Sequence, residues 1–309
     1  MEYLLLLIWF ILLIKWADLL VDGASSIAKK FGISALVIWL TIVAFGSSAP
    51  ELVINLISWY SWNTDLAVSN IIGSNISNLL LILWVTAILY PIKLPQTTIK
   101  REIPFLIFSA LVLIFILVDG VISRSDSGIL SVLFWIFLYY TFTIAKKTKE
   151  SKTEEIEIMS NVKASLFILL WLWWLIWGWK LIVDSAVWIA QAQWLPEAFI
   201  WVTIVAIWTS LPELAVSVIA AMKKNTDIAI WAVVGSNIFN TLWILWATWL
   251  MTPLPSYSWI HFDLWVNLIA SIYLFLFAFS FKKHYIDKKE GIIFITLYIF
   301  YIIFLVSKI

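Results

Sequence analysis

The sequence predicts an all-α polytopic membrane protein, ten transmembrane helices arranged as two inverted-topology five-helix repeats, and three observations carry that prediction. Of 309 residues, 63% are hydrophobic and 13% charged, about half the roughly 25% charge of soluble domains. Apolar runs long enough to cross a hydrocarbon core, about 20 residues each, recur along the whole chain. The chain also aligns with itself at an offset of 162 residues. The first observation excludes a soluble globular fold. The runs are too long for barrel strands and lack two-residue alternation.

Spans are expected at 3–22, 35–60, 66–90, 103–118 and 128–146, then at 163–184, 197–222, 228–251, 262–281 and 290–307. The first opens Met1-Glu2-Tyr3 with no basic flank, and Lys15 and Asp18 follow without a small-residue cleavage site, so it reads as a retained helix rather than a signal peptide. The connections after spans one, three, five, seven and nine hold 2, 3, 5, 2 and 4 Lys or Arg, while the opposite face holds only Arg124 and Lys308. By the positive-inside rule the basic face is cytoplasmic and both termini lie outside, in the cytoplasmic (plasma) membrane. The polar run KKTKESKTEEIE at Lys146–Glu157 marks the midpoint. It divides the chain into an N-terminal repeat (1–146), a cytoplasmic linker (147–162) and a C-terminal repeat (163–309).

Composition narrows the chemistry. Cysteine is absent and histidine occurs twice, which removes disulfides, thiolate metal sites and cysteine nucleophiles and leaves hard oxygen ligands. A net charge of +1 gives no electrostatic case for a nucleic-acid partner. No cofactor is expected, and both histidines, His261 and His284, lie away from the motifs.

At the 162-residue offset, 30 of the 69 positions in 16–84 are identical to those in 178–246, without a gap. TIVAFGSSAPEL (Thr41–Leu52) matches TIVAIWTSLPEL (Thr203–Leu214), and GSNISNLLLILW (Gly73–Trp84) matches GSNIFNTLWILW (Gly235–Trp246). Five spans per half is an odd number, so the second copy enters the bilayer from the opposite side, the usual framework of alternating-access transporters.

Glu51 and Glu213 fall near the centres of their spans, where an acidic side chain costs on the order of 2.5–3.5 kcal/mol on insertion scales. Ser47, Ser48 and Pro50 precede the first, and Thr209, Ser210 and Pro212 the second. Each proline removes an amide donor, so backbone carbonyls near Ala44 and Ala206 are expected to be freed. Ser74, Asn75 and Asn78, with Ser236, Asn237 and Asn240, extend the polar set, and four-residue spacing puts Ser74 and Asn78 on one helix face. Carboxylates, hydroxyls and carbonyls supplied twice make an oxygen cage suited to Ca²⁺ or Na⁺. Two carboxylates balance one divalent or two monovalent ions. The plainer alternative is a structural proline kink with Ser and Asn as interhelical glue.

These motifs, with VDGAS and VDSAV before them, resemble the cation/calcium antiporter superfamily, whose two inverted halves each carry G-[ST]-S-x-P-E followed by G-S-N-x-x-N. The resemblance covers nearly the whole chain. It implies that Glu51 and Glu213 bind Ca²⁺ with Ser47 and Thr209, that Ala44, Ala206, Ser48, Ser210, Ser74 and Ser236 form Na⁺ sites, and that Asn78 and Asn240 line the centre. Some members, the potassium-dependent branch among them, have Asp where this chain has Asn240, which argues against potassium dependence. The GSN pattern favours Na⁺/Ca²⁺ exchange over calcium/proton exchange, with spans one and six as the moving pair. A cation channel fits paired carboxylates in inverted halves less well. An intramembrane enzyme would need a nucleophile–base pair or zinc spacing that does not appear. Asp22 and Asp184 occupy matching positions at the ends of spans one and six and read as interfacial or helix-end residues, with a gating role as the alternative.

The chain has 22 Trp and 9 Gly, where ordinary glycine usage would give about 22. In the repeat register Gly46 faces Trp208, Gly32 faces Trp194 and Gly178 faces Trp16. Residues of such different size exchange as though they were one symbol. In WLWWLIWGWK (171–180) tryptophans also occupy mid-span depth, away from the interfacial belt. We expect UGA codons read as glycine in the native host at Trp39, Trp201 and Trp208. Sequencing the gene checks this, and UGG codons there would refute it.

Overall fold

The computed structural model describes residues 2–31, 43–60, 65–145, 159–160, 162–170, 173, 205–250, 254–255, 260–279 and 284–307. The described helices are α1 (Glu2–Phe31), α2 (Ala49–Tyr60), α3 (Asp65–Ser77 continuing through Leu83–Leu89), α4 (Ile103–Ile116) and α5 (Arg124–Ala145) in the first half. In the second half they are α6 (Leu211–Met222), α7 (Thr226–Phe239 continuing through Leu245–Trp249), α8 (Ile260–Phe277) and α9 (Lys288–Val306). The described residues are mostly helical, as expected, apart from four two-residue strands. Six of these helices, with their flanking turns, are long and apolar enough to cross a membrane.

Two layers follow from burial. The α3 and α7 spans have 83% and 94% of their most apolar windows inside the protein, whereas the spans of α4, α5, α8 and α9 have 28–44%. The outer helices turn Phe115, Trp135, Tyr139 and Phe300 outward, as a lipid-facing layer requires. The inner pair carries the second motif of each half, so that motif sits at the centre of the molecule.

Both inner helices widen at equivalent points. A π turn spans Asn78–Ile82 in α3 and Asn240–Ile244 in α7, and 240 is 78 plus the repeat offset. Such turns insert a residue into the helix and re-aim the side chains around it. Here each begins at the last asparagine of the G-S-N-x-x-N motif.

The halves interlock rather than sit side by side. Helix α4 packs on α8, the end of α3 packs on α9, and α5 packs on the end of α7. Two short antiparallel ladders join the halves as well: β1 (Ile92–Lys93) pairs with β4 (Tyr285–Ile286), and β2 (Val121–Ile122) pairs with β3 (Leu254–Pro255). Two-residue strands carry no legible periodicity, and none was expected.

Some boundaries differ from the sequence expectation. The first helix continues to Phe31 rather than stopping at 22. The second and seventh spans, expected as single helices over 35–60 and 197–222, are interrupted at Ser48 and Ser210, between a short turn (Ala44–Ser47, Ala206–Thr209) and a longer helix. The physical cause is the Pro two residues on, which cannot donate to the preceding turn. The sixth span is described as helix over 162–170, and most of 171–184 lies outside the described residues.

The α3–α9 crossing brings the two helices into close approach at Gly291. A Cβ on Gly291 would stand 2.7 Å from Ile88 Cγ1 and 3.0 Å from the Trp84 carbonyl oxygen. Trp84 itself is buried, stacks on Phe294 at 3.9 Å and donates its Nε1 to the Leu79 carbonyl. Gly128 on α5 has nothing within 4 Å of the same position. Gly291→Ala should therefore destabilise the protein by about 1–3 kcal/mol through overpacking. Gly128→Ala should be neutral or stabilising by up to about 1 kcal/mol. Thermal unfolding in detergent compares the two, and equal melting temperatures would refute the close approach.

Candidate functional site

The site forms where the two helix breaks meet the two inner helices. At the first break the Ser48 amide donates to the Ala44 carbonyl at 3.1 Å and the Leu52 amide to the Ser48 carbonyl at 3.2 Å. At the second, the Ser210 amide donates to the Ala206 carbonyl at 3.2 Å and the Leu214 amide to the Ser210 carbonyl at 3.1 Å. The expectation of freed carbonyls at Ala44 and Ala206 is thus corrected. Ala44 also accepts from Ser47 Oγ at 3.4 Å, and Ala206 from Thr209 Oγ1 at 3.1 Å and Ser210 Oγ at 2.9 Å. A proline deprives the carbonyl four residues back, which is Gly46 or Trp208, and tight-turn amides at the cap satisfy those too.

Behind the breaks stand Glu51 and Glu213, both without solvent exposure. Among the described residues none of their four carboxylate oxygens has a hydrogen-bond partner. The Glu51 carboxylate neighbours the Thr209 and Ser74 hydroxyls, and the Glu213 carboxylate neighbours those of Ser47 and Ser236, with no bond closed to either. The two glutamates also lie within electrostatic range of each other. Leaving a buried charged acceptor unmade costs several kcal/mol at the order-of-magnitude level, so this arrangement calls for a cation or protons.

The hydroxyls pair across the halves. Ser47 Oγ meets Ser236 Oγ at 3.0 Å, and Ser74 Oγ meets Thr209 Oγ1 at 3.1 Å. Shifting either pair by 162 residues gives the other. The first motif of each half is therefore tied to the second motif of the opposite half, and neither half alone could assemble the cluster.

Amides repeat the pattern. Asn78 Nδ2 donates to Asn237 Oδ1 at 2.9 Å, and Asn240 Nδ2 donates to Asn75 Oδ1 at 3.1 Å. The Asn78 and Asn240 oxygens stay buried without a partner, as does the Ser48 hydroxyl. Of the sequence-predicted site residues, Ser47, Ser74, Thr209 and Ser236 meet through their hydroxyls, Asn78 and Asn240 bond amides of the opposite half, and Ser210 bonds the Ala206 carbonyl. Among the described residues no group of three or more His, Asp or Glu gathers as a metal cluster, which leaves the two glutamates as the charged members of the site.

Sequence reasoning missed three features. Asn75 and Asn237 act as bonded partners of Asn240 and Asn78. A buried carboxylate meets a tyrosine hydroxyl in each half, Tyr140 to Glu102 at 2.7 Å and Tyr301 to Asp263 at 3.0 Å; the common spacing of 38 residues was the available signal. Third, Lys223 at the end of α6 pairs with Asp18 at 2.7 Å and Asp22 at 2.5 Å on α1. Partial burial pulls the Lys223 ammonium down, but the bonds and charges of the two aspartates lift it above the usual lysine value. Asp22 is thus an ion-pair partner, and Asp184 lies outside the described residues. Trp208 is partly buried against the core, while Trp39 and Trp201 lie outside the described residues.

Comparison with known proteins decides the class. The family model described as "Sodium/calcium exchanger protein" matches residues 1–143 and 163–307. The chain belongs to that family. The inner membrane protein YrbG of Escherichia coli (strain K12) is 33% identical over 258 residues, covering 81% of this chain and 79% of YrbG. The sodium/calcium exchanger MaX1 of Methanosarcina acetivorans is 29% identical over 347 residues, covering 99% and 97%. A solved structure of the sodium-calcium exchanger NCX_Mj, soaked with 2.5 mM Na⁺ and 1 mM Sr²⁺, superimposes with a TM-score of 0.80 at 32% identity over 97% of both chains. This exchanger is a multi-pass membrane transporter of the cation/Ca²⁺ class and not an enzyme.

Proposed function

We propose that the protein exchanges Ca²⁺ for Na⁺ across the cytoplasmic membrane by alternating access, with both termini outside and the 147–162 linker in the cytoplasm. The observation that carries this reading is the pair of fully buried glutamates with no protein partner, set in an oxygen-rich cluster built from both halves. Four carboxylate oxygens and the free amide oxygens of Asn78 and Asn240 number six acceptors, the lower end of the 6–8 oxygens that Ca²⁺ takes. Glu51 and Glu213 with Ser47 and Thr209 hold Ca²⁺. Ser48, Ser210, Ser74, Ser236 and the carbonyls of Ala44 and Ala206 serve Na⁺, with Asn78 and Asn240 at the centre.

The charge count sets the mechanism. Two carboxylates are neutralised by one Ca²⁺ or by two Na⁺, so the ions compete for overlapping positions instead of adding. A site left empty exposes its buried charges to a low-dielectric interior, which disfavours crossing between access states without cargo. The carbonyls of Ala44 and Ala206, engaged here by hydroxyls and amides, become ligands when Ser47, Thr209 and Ser210 turn their hydroxyl oxygens to an ion. Movement of the first and sixth spans against the rest then opens one side at a time.

Reconstituted protein should take up Ca²⁺ into liposomes when an outward Na⁺ gradient is imposed. Glu51→Gln and Glu213→Gln should each lower that uptake at least 100-fold while keeping a monodisperse elution profile. Uptake driven by a pH gradient and indifferent to Na⁺ would overturn sodium coupling in favour of proton exchange.

A further inference from the structure

The pseudo-twofold that relates the site's amides is broken at one residue. Asn75 Nδ2 donates to Thr241 Oγ1 at 2.9 Å. The position equivalent to Thr241 in the first half is Leu79, which offers no hydroxyl. Asn237, the counterpart of Asn75, instead donates its Nδ2 to the backbone carbonyl of Asn75 at 3.0 Å. The four asparagines and Thr241 are all buried.

An amide has an acceptor face and a donor face of nearly the same shape, and hydrogen bonding alone decides which way it points. A carbonyl oxygen can only accept. Asn237 is therefore fixed with Nδ2 toward the Asn75 carbonyl and Oδ1 toward Asn78, and Asn78 must spend its N–H there, leaving its own oxygen free. A hydroxyl can accept or donate. If Asn75 turns over, Thr241 can donate to its oxygen, and Asn75 then offers N–H where it had offered an acceptor to Asn240.

We propose that Asn237 and Asn75 are positioning residues that orient the Asn78 and Asn240 amides across the two halves, so that each offers its oxygen to the transported cation. Asn237 does so irreversibly, through the Asn75 carbonyl. Asn75 does so reversibly, through the Thr241 hydroxyl. The site thus holds one rigid and one adaptable neutral ligand, although the sequence writes both as asparagine.

The inference rests on the site being a Ca²⁺ cage, and aspartate substitution tests it separately. An aspartate has no N–H, so Asp at 78 faces an acceptor that cannot turn, whereas Asp at 240 faces an Asn75 that can. Equilibrium ⁴⁵Ca²⁺ binding to the purified full-length protein should show an affinity loss at least tenfold greater for Asn78→Asp than for Asn240→Asp. Asn237→Leu should weaken binding by itself yet improve it at least fivefold in the Asn78→Asp background, a reversal that a merely structural Asn237 would not produce. Thr241→Val should deepen the Asn240→Asp loss at least fivefold beyond the product of the single effects. That comparison stands even where Asn78→Asp fails to elute as folded protein. Equal losses at 78 and 240, or multiplicative effects in the Thr241 pair, overturn the proposal. A parent protein that binds no Ca²⁺ would instead overturn the cage itself.

Discussion

The structure depends on two carboxylates that the protein buries completely and leaves unpartnered. Glu51 and Glu213 have no exposed surface and, among the described residues, no hydrogen bond to any of their four oxygens. A buried carboxylate left without charge pairing or hydrogen bonds does not recover the hydration it loses. Surrounding features follow from that constraint. A proline directly before each glutamate breaks the helix at Ser48 and Ser210, hydroxyls stand beside the carboxylates, and the inner helices open into π turns at Asn78 and Asn240. Each places an oxygen near the charges without neutralising them, as a site that must release its ion requires.

A second constraint is that the site belongs to neither half. The Ser47–Ser236 and Ser74–Thr209 contacts, and the Asn78–Asn237 and Asn240–Asn75 bonds, all cross between repeats. The outer helices and the two strand ladders cross as well. Burial on the inner helices is nearly complete while the outer ones face outward, so the packing energy that holds the halves together is spent around the polar cluster.

Much of this was legible in the sequence because membrane insertion leaves few solutions. Apolar run length gives the spans, and the 162-residue self-alignment gives the symmetry. A charged residue at mid-span advertises its function through its cost. What stayed hidden was connectivity. Asn75 and Asn78 are both polar residues on one helix, and nothing in their spacing says that one offers its oxygen to an amide of the other half while the oxygen of the other is left free. The carbonyl expectation at Ala44 failed for a related reason: a proline identifies a missing donor, but neighbouring serine hydroxyls and tight-turn amides filled the vacancy. The second carboxylate–tyrosine contact was obscured because the repeat slips by one residue, from an offset of 162 in the inner helices to 161 between Glu102 and Asp263.

Departures from symmetry are where the two halves acquire different work. Lys223 of the second half joins Asp18 and Asp22 of the first, and the positions related to these by the 162-residue offset are Ser61, Lys180 and Asp184. No basic residue stands at 61 to bridge toward a neighbouring helix. Inverted repeats alternate access by exchanging the conformations of their halves, so a contact between the halves whose basic member has no counterpart in the sequence at the related position weights one of the two states. With side chains a third or more exposed, such a pair is worth about 0–1 kcal/mol, enough to bias a two-state equilibrium by up to about fivefold. That is small beside the cost of two bare buried carboxylates. In the mechanism proposed above, the charge balance of the site therefore outweighs the ion pair at the end of α6, which biases only the choice between the two states.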